Sequence, residues 1–182
     1  ERLGSATLYR TSGGGVQISK GIQTVSAKSS LQLEWLMVTD STLKILFDAP
    51  VGASGFFEDP WFRYTSAMKM RALDAVKAFE VRILTFNIWG EFTGTLSFTQ
   101  LEDMAPGQNK TFDRVWGIFG ESQLRAHVTS IAYVANVMLG DGKKISADPA
   151  LVLKAAKAIQ SSLTLQDLEP KAEPVPLQSK KA

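Results

Sequence analysis

Apolar and polar residues alternate with period two over much of the chain. Leu31, Leu33, Trp35 and Met37 are separated by Gln32 and Glu34, and beyond Asp40-Ser41 the alternation resumes at Leu43, Ile45 and Phe47 with Lys44 between. Successive strand side chains point to opposite faces, so this pattern predicts two half-buried strands joined as a hairpin. Shorter runs at Ala6–Arg10 and Val16–Ser19 flank Gly13-Gly14-Gly15 and predict another hairpin. Tyr64–Ala72 reads as extended, and Leu73–Lys77 as a turn or one helical turn.

The segment Phe79–Trp89 breaks its own parity. Phe79, Val81 and Ile83 fall on one alternation, Leu84, Phe86 and Ile88 on the other. A one-residue slip turns every later side chain to the opposite face. The pattern therefore predicts either a β-bulge near Ile83 and Leu84 or a strand buried on both faces. Gly90 permits a tight turn, and Phe92–Phe98 returns as the partner strand with Trp89-Gly90-Glu91 at the tip.

Pro106-Gly107 ends the next connection, and Phe112–Phe119 is predicted as a further strand. Ile131, Tyr133, Val137 and Leu139 are assigned to one face of another, with Asp141-Gly142 as its turn and a return strand over 143–147. Asp148 followed by Pro149 is a helix start, and Leu151, Val152, Ala155, Ala156 and Ile159 recur at helical spacing. That predicts a helix over about 149–162, inside a domain spanning 1–163. The proline-rich remainder, 164–182, is predicted to be a flexible Pro/Lys-rich tail.

Many short strands with a single helix predict a mainly β protein, an antiparallel β-sandwich of immunoglobulin-like kind with one C-terminal α-helix. The length of 182 residues, 45% of them hydrophobic and 21% charged, fits one globular domain. A net charge of +2 without a basic cluster argues against a nucleic-acid partner. The absence of cysteine removes disulfides, thiolate metal sites and cysteine nucleophiles. No apolar run is long enough for a membrane-spanning helix. The chain starts at Glu1 rather than methionine, which predicts a trimmed or processed form.

The stretch Val81-Arg82-Ile83-Leu84-Thr85-Phe86-Asn87-Ile88-Trp89-Gly90 resembles the central strand and turn of extracytoplasmic immunoglobulin-like modules of the FxLYD type. Phe86 takes the aromatic position and Gly90 the turn glycine, while Asn87 stands where those modules carry Asp. The resemblance covers little more than this hairpin. It implies a small β-sandwich outside the cytoplasm, periplasmic or extracellular, attached to a cell-envelope or secreted protein and without enzymatic chemistry. It brings no binding residues with it.

The candidate chemistry is sparse. His127 is the only histidine, so any metal would need oxygen ligands, and no local motif pairs it with a nucleophile. Gly13-Gly14-Gly15 lacks the Lys-Ser/Thr of a phosphate loop, and the acidic pairs Glu58-Asp59 and Glu102-Asp103 lack the spacing of a calcium loop. Asn109-Lys110-Thr111 is a glycosylation triplet of the kind that arises by chance. No catalytic residue, metal site or cofactor is therefore assigned.

The segment Gly55–Tyr64 stands out, with five aromatic residues broken by Glu58-Asp59-Pro60. It is read as an irregular loop or strand entry whose rings either close one end of the sandwich or stay exposed as an anchor patch. On the second reading Phe56, Phe57, Trp61 and Phe62 are the binding residues. The sequence points to a non-catalytic binding or assembly module with a protein partner and leaves its oligomeric state open. The alternatives are a carbohydrate- or lipid-binding domain on the same aromatic platform, or a hydrolase using carboxylates such as Glu58, Asp59 or Asp103.

Overall fold

A computed structural model describes residues 2–3, 6–12, 17–20, 23–26, 34–48, 52–58, 61–116 and 127–170, with side chains at 37–38, 40–48, 66–116 and 129–170. Two sheets are present among the described residues. The first runs in the order β1 (Arg2–Leu3), β2 (Ala6–Ser12), β5 (Glu34–Asp40), β12 (His127–Leu139), β9 (Val76–Asn87) and β10 (Phe92–Met104), with β13 (Lys144–Ser146) also on β12. The second runs β11 (Asn109–Trp116), β8 (Trp61–Ala72), β7 (Gly52–Glu58), β3 (Gln17–Lys20) and β4 (Gln23–Ser26), with β6 (Ile45–Phe47) also on β8. The helix α1 (Pro149–Lys157) follows β13. The protein is thus mainly β, with two sheets and one C-terminal helix among the described residues, as its patterning predicts. The pairs β5/β12 and β3/β7 are parallel within the otherwise antiparallel arrangement.

In neither of two expected hairpins do the two strands pair with each other. Asp40 Oδ1 accepts hydrogen bonds from Thr42 N at 2.9 Å and Thr42 Oγ1 at 2.7 Å, which winds Ser41–Leu43 into a 3-10 turn. The turn ends at Lys44 with a φ of 64°, so β5 stays in the first sheet and β6 joins the second. Likewise β2 pairs with β5, while β3 pairs with β4. The aromatic segment is also regular rather than an irregular loop. β7 and β8 form an antiparallel hairpin in continuous register from Gly52↔Ala67 to Glu58↔Trp61. Aromatic residues favour a pleated strand.

The parity break in β9 corresponds to burial on both faces. Val81 and Ile83 belong to the core between the sheets with Met68, Met70 and Phe112. Leu84 and Phe86 belong to a second core with Ile131, Tyr133 and the α1 residues Val152, Ala155 and Ala156. The register passes through Ile83 and Leu84 without a shift on either neighbour, so no bulge lies there. The slip occurs in β12, where the register shifts between Val134 and Asn136. Ile131 and Tyr133 accordingly face the helix while Val137 and Leu139 face the other sheet, which corrects their assignment to one face.

The helix begins as expected, with Asp148 Oδ1 accepting from Ala150 N at 2.9 Å, but it closes at Lys157 rather than near 162. Packed structure also runs past 163. Leu165–Leu168 forms a 3-10 turn, and Leu168 is only 2% exposed, because it reaches the core beneath α1. Thr164–Pro170 is therefore not tail. The remainder of the expected tail, 171–182, lies outside the described residues.

The sandwich has two unlike ends. The connections Ser41–Leu43, 73–75 and 105–108 cross between the sheets at one end and bond to one another. Leu73 N donates to Lys44 O at 2.8 Å, Gly107 N to Ala72 O at 2.8 Å, and Ala72 N to Gln108 O at 3.0 Å. Gly140 N, from the β12–β13 turn, donates to Ala75 O at 2.8 Å. β8 enters the 73–75 corner and β9 leaves it, and the two extend side by side from it, since Arg114, opposite Ser66, meets Gln100, opposite Phe79, and Trp116, opposite Tyr64, meets Ser97, opposite Arg82. Their far ends, Trp61 and Asn87, therefore stand at the other end, where the chain turns in the β7–β8 and β9–β10 hairpins.

Candidate functional site

Asn87 builds the tip of the β9–β10 hairpin. Its Oδ1 accepts from Trp89 N at 2.9 Å and from Glu91 N at 3.0 Å, and its Nδ2 donates to Glu91 Oε2 at 2.8 Å. The backbone adds Gly90 N to Asn87 O and Asn87 N to Glu91 O, both at 3.0 Å. Gly90 takes a φ of 74°, which a side chain would strain. The base of the tip is fastened to the end of the helical region, where Phe92 N donates to Gln160 Oε1 at 2.5 Å. Phe92 meets Phe86 edge to face, with centroids 5.9 Å apart.

On this fixed turn the two large apolar residues face outward. Ile88 is 43% and Trp89 78% exposed. A convex apolar tip already held in shape can enter a partner's pocket with little loss of conformational freedom. The sequence placed Trp89 at a turn without marking it as a contact. The available signal was two bulky apolar residues between Asn87 and Gly90, in a turn too short to fold them back on the core.

The other candidates lie apart. Phe56, Phe57, Trp61 and Phe62 belong to the β7–β8 hairpin, at registers Phe57↔Phe62 and Glu58↔Trp61, at the same end of the sandwich as Trp89. Their side chains are outside the described set, as are Asp59 and Gly13-Gly14-Gly15. Glu58 is in that hairpin, whereas Glu102 and Asp103 end β10 beside the corners, so the fold does not bring them together. Glu102 is held by Lys110, whose hydrogen bond and charge keep its carboxyl below the ordinary value. His127 opens β12 opposite Asn87, and Asn109 is exposed at the start of β11. Among the described residues no three His, Cys, Asp or Glu side chains gather as a metal site would require, and no helix is long and apolar enough to cross a membrane.

A second polar cluster lies on the helix-covered face of the first sheet. Arg82 Nε meets Glu80 Oε1 at 2.7 Å, and its NH1 meets Glu169 Oε2 at 2.8 Å and Leu168 O at 3.2 Å. Tyr133 OH donates to the same Leu168 O at 3.2 Å, and Thr95 Oγ1 to Asp167 O at 2.6 Å. Burial works against the Arg82 charge, but the bonds to Glu169 and Glu80 more than offset it, so its pKa stands above the ordinary arginine value. Burial pushes the Tyr133 hydroxyl up to about 12, against the opposing pull of Arg82.

No family model matches the chain, and no curated protein matches it. A solved structure of a hypothetical protein from Peptoclostridium difficile 630 is similar over 64% of this chain and 94% of its own, at 10% identity and a TM-score of 0.43. A likeness of that size fixes neither fold nor function.

Proposed function

We propose that the chain is a non-catalytic binding or assembly module of a bacterial cell-envelope or secreted system, with a protein partner and the β9–β10 tip as its contact. The observation that carries this is Trp89, exposed at 78% on a turn fixed by five hydrogen bonds among Asn87, Trp89, Gly90 and Glu91. Tryptophan is enriched among residues that dominate binding energy, and a preorganised one gives up little entropy on docking. The hairpin bearing Phe56, Phe57, Trp61 and Phe62 rises at the same end and would extend the contact surface. A location outside the cytoplasm, periplasmic or extracellular, is supported by the resemblance of the strand and turn at 81–90.

The test is crosslinked capture from the native host with the wild type, with Trp89→Ala, and with Phe56, Trp61 and Phe62 together changed to alanine. As an exposed substitution Trp89→Ala is expected to change stability by no more than about 0.5 kcal/mol. A partner held by the wild type should be lost by this folded variant. An unchanged catch removes the tip from the contact, and a turnover activity abolished by changing His127 overturns the non-catalytic reading.

A further inference from the structure

Thr164–Pro170 lies on the first sheet in the manner of a bound peptide. Its turn is closed by its own atoms, since Asp167 Oδ2 accepts from Thr164 N and Thr164 Oγ1, both at 2.8 Å. One side chain, Leu168, is buried, while Leu165, three residues earlier in the same turn, is 53% exposed. Four polar contacts tie the segment to the sheet with the donor on the sheet side. Arg82, Tyr133 and Thr95, on three different strands, donate, and the carbonyls of Leu168 and Asp167 and the carboxylate of Glu169 accept. Packing is open along one flank, where a cleft of about 250 Å³ is lined by Phe92 and Thr95 of the sheet and by Gln166, Asp167, Glu169 and Pro170. An apolar anchor, backbone carbonyls read by side chains, and an arginine paired with the carboxylate after the anchor together make up a linear-motif site.

We infer that the face formed by Arg82, Tyr133 and Thr95 is a recognition site for a short peptide carrying a leucine followed directly by a carboxylate, filled in this chain by its own Thr164–Pro170. The choice of occupant follows from charge complementarity. Arg82 is committed to Glu80 through Nε and presents NH1 to the peptide, and a buried Tyr133 hydroxyl needs an acceptor. A partner segment of this kind competes with the chain's own, which the short connection holds at an effective concentration on the order of millimolar. The inference does not depend on the hairpin tip.

The test uses the full chain with a protease recognition sequence inserted between Ser161 and Ser162, both exposed. After cleavage, a fluorescent peptide of residues 163–170 is expected to replace the C-terminal fragment, read as a rise in anisotropy. The Glu169→Gln peptide should bind about tenfold more weakly, the scale of one charge-assisted hydrogen bond. The Leu168→Ala peptide should fail to compete, and uncut protein should take up the peptide far more weakly than cut protein. Tyr133→Phe in the cut chain should weaken uptake and, if that variant does not fold, Thr95→Val serves instead. Equal uptake by cut and uncut protein would place the peptide elsewhere and overturn the inference. So would cut protein that keeps its fragment against excess peptide, or that loses the fragment and still binds no peptide.

Discussion

Tyr133 joins burial to pH dependence in one residue. Its hydroxyl donates to Leu168 O and its pKa is pushed up to about 12 by burial. The fold favours the neutral phenol, so this stabilisation is fully present below the unfolded tyrosine value of about 10 and is lost as pH rises through about 12. Tyr133→Phe is expected to cost about 1 kcal/mol at pH 7 and to decline less steeply between pH 10 and 12 than the wild type. Urea unfolding at a series of pH values checks this, and equal steepness would assign the decline to other groups. Asn87 shows what a single residue discloses in advance. Its amide accepts from Trp89 N and Glu91 N while donating to Glu91, which a carboxylate could not do. A carboxylate there would face the Glu91 charge. That the sequence needed a turn was legible at Gly90, but the exposure of Trp89 was not, since the same residues in a longer loop could reach the core.

At the scale of elements, β9 separates what periodicity reveals from what it hides. The parity change at Ile83 and Leu84 announced two buried faces or a bulge, and the structure answers with α1 over Leu84 and Phe86. Phe86→Ala is expected to cost about 3–5 kcal/mol, whereas Ile88→Ser, on the same alternation but beyond the sheet, should stay within about 0.5 kcal/mol. Urea midpoints for the pair test whether the second core ends where the helix does, and a large loss at Ile88 would contradict it. The slip in β12 was invisible because 131–135 and 137–139 are nearly all apolar, so neither parity is marked. The Asp40-Ser41 corner was misread because the same residues suit a hairpin turn, and the choice of sheet for β6 rests on its distant partner β8. Thr164–Pro170 read as tail because two leucines before a run of prolines carry no period, although Leu168 and the bonds from Arg82, Tyr133 and Thr95 anchor it.

For the whole molecule, the two ends divide the work. The corner end is closed by backbone bonds between connections, and Gly140 packs there so tightly that an added Cβ would lie 2.8 Å from Ala75 Cβ. Gly140→Ala is expected to cost roughly 1–3 kcal/mol by forcing the corner apart. Gly94→Ala, which meets nothing within 4 Å, is the control that should not fall. Thermal melts of the two distinguish a rigid corner from one that gives way. Along the side, the outer strands β10 and β11 are laced by Lys110 to Glu102, Arg114 to Gln100 and Trp116 Nε1 to Ser97 O, which occupies carbonyls and places charge on edges otherwise open to another strand. The layer over Leu84 and Phe86 has an effect in time as well as space. Asp148 leaves the ribosome roughly sixty residues after Phe86, about 3–12 s at ordinary synthesis rates, so the greasy face of the nascent sheet waits that long for its cover and is the place where a chaperone would be needed.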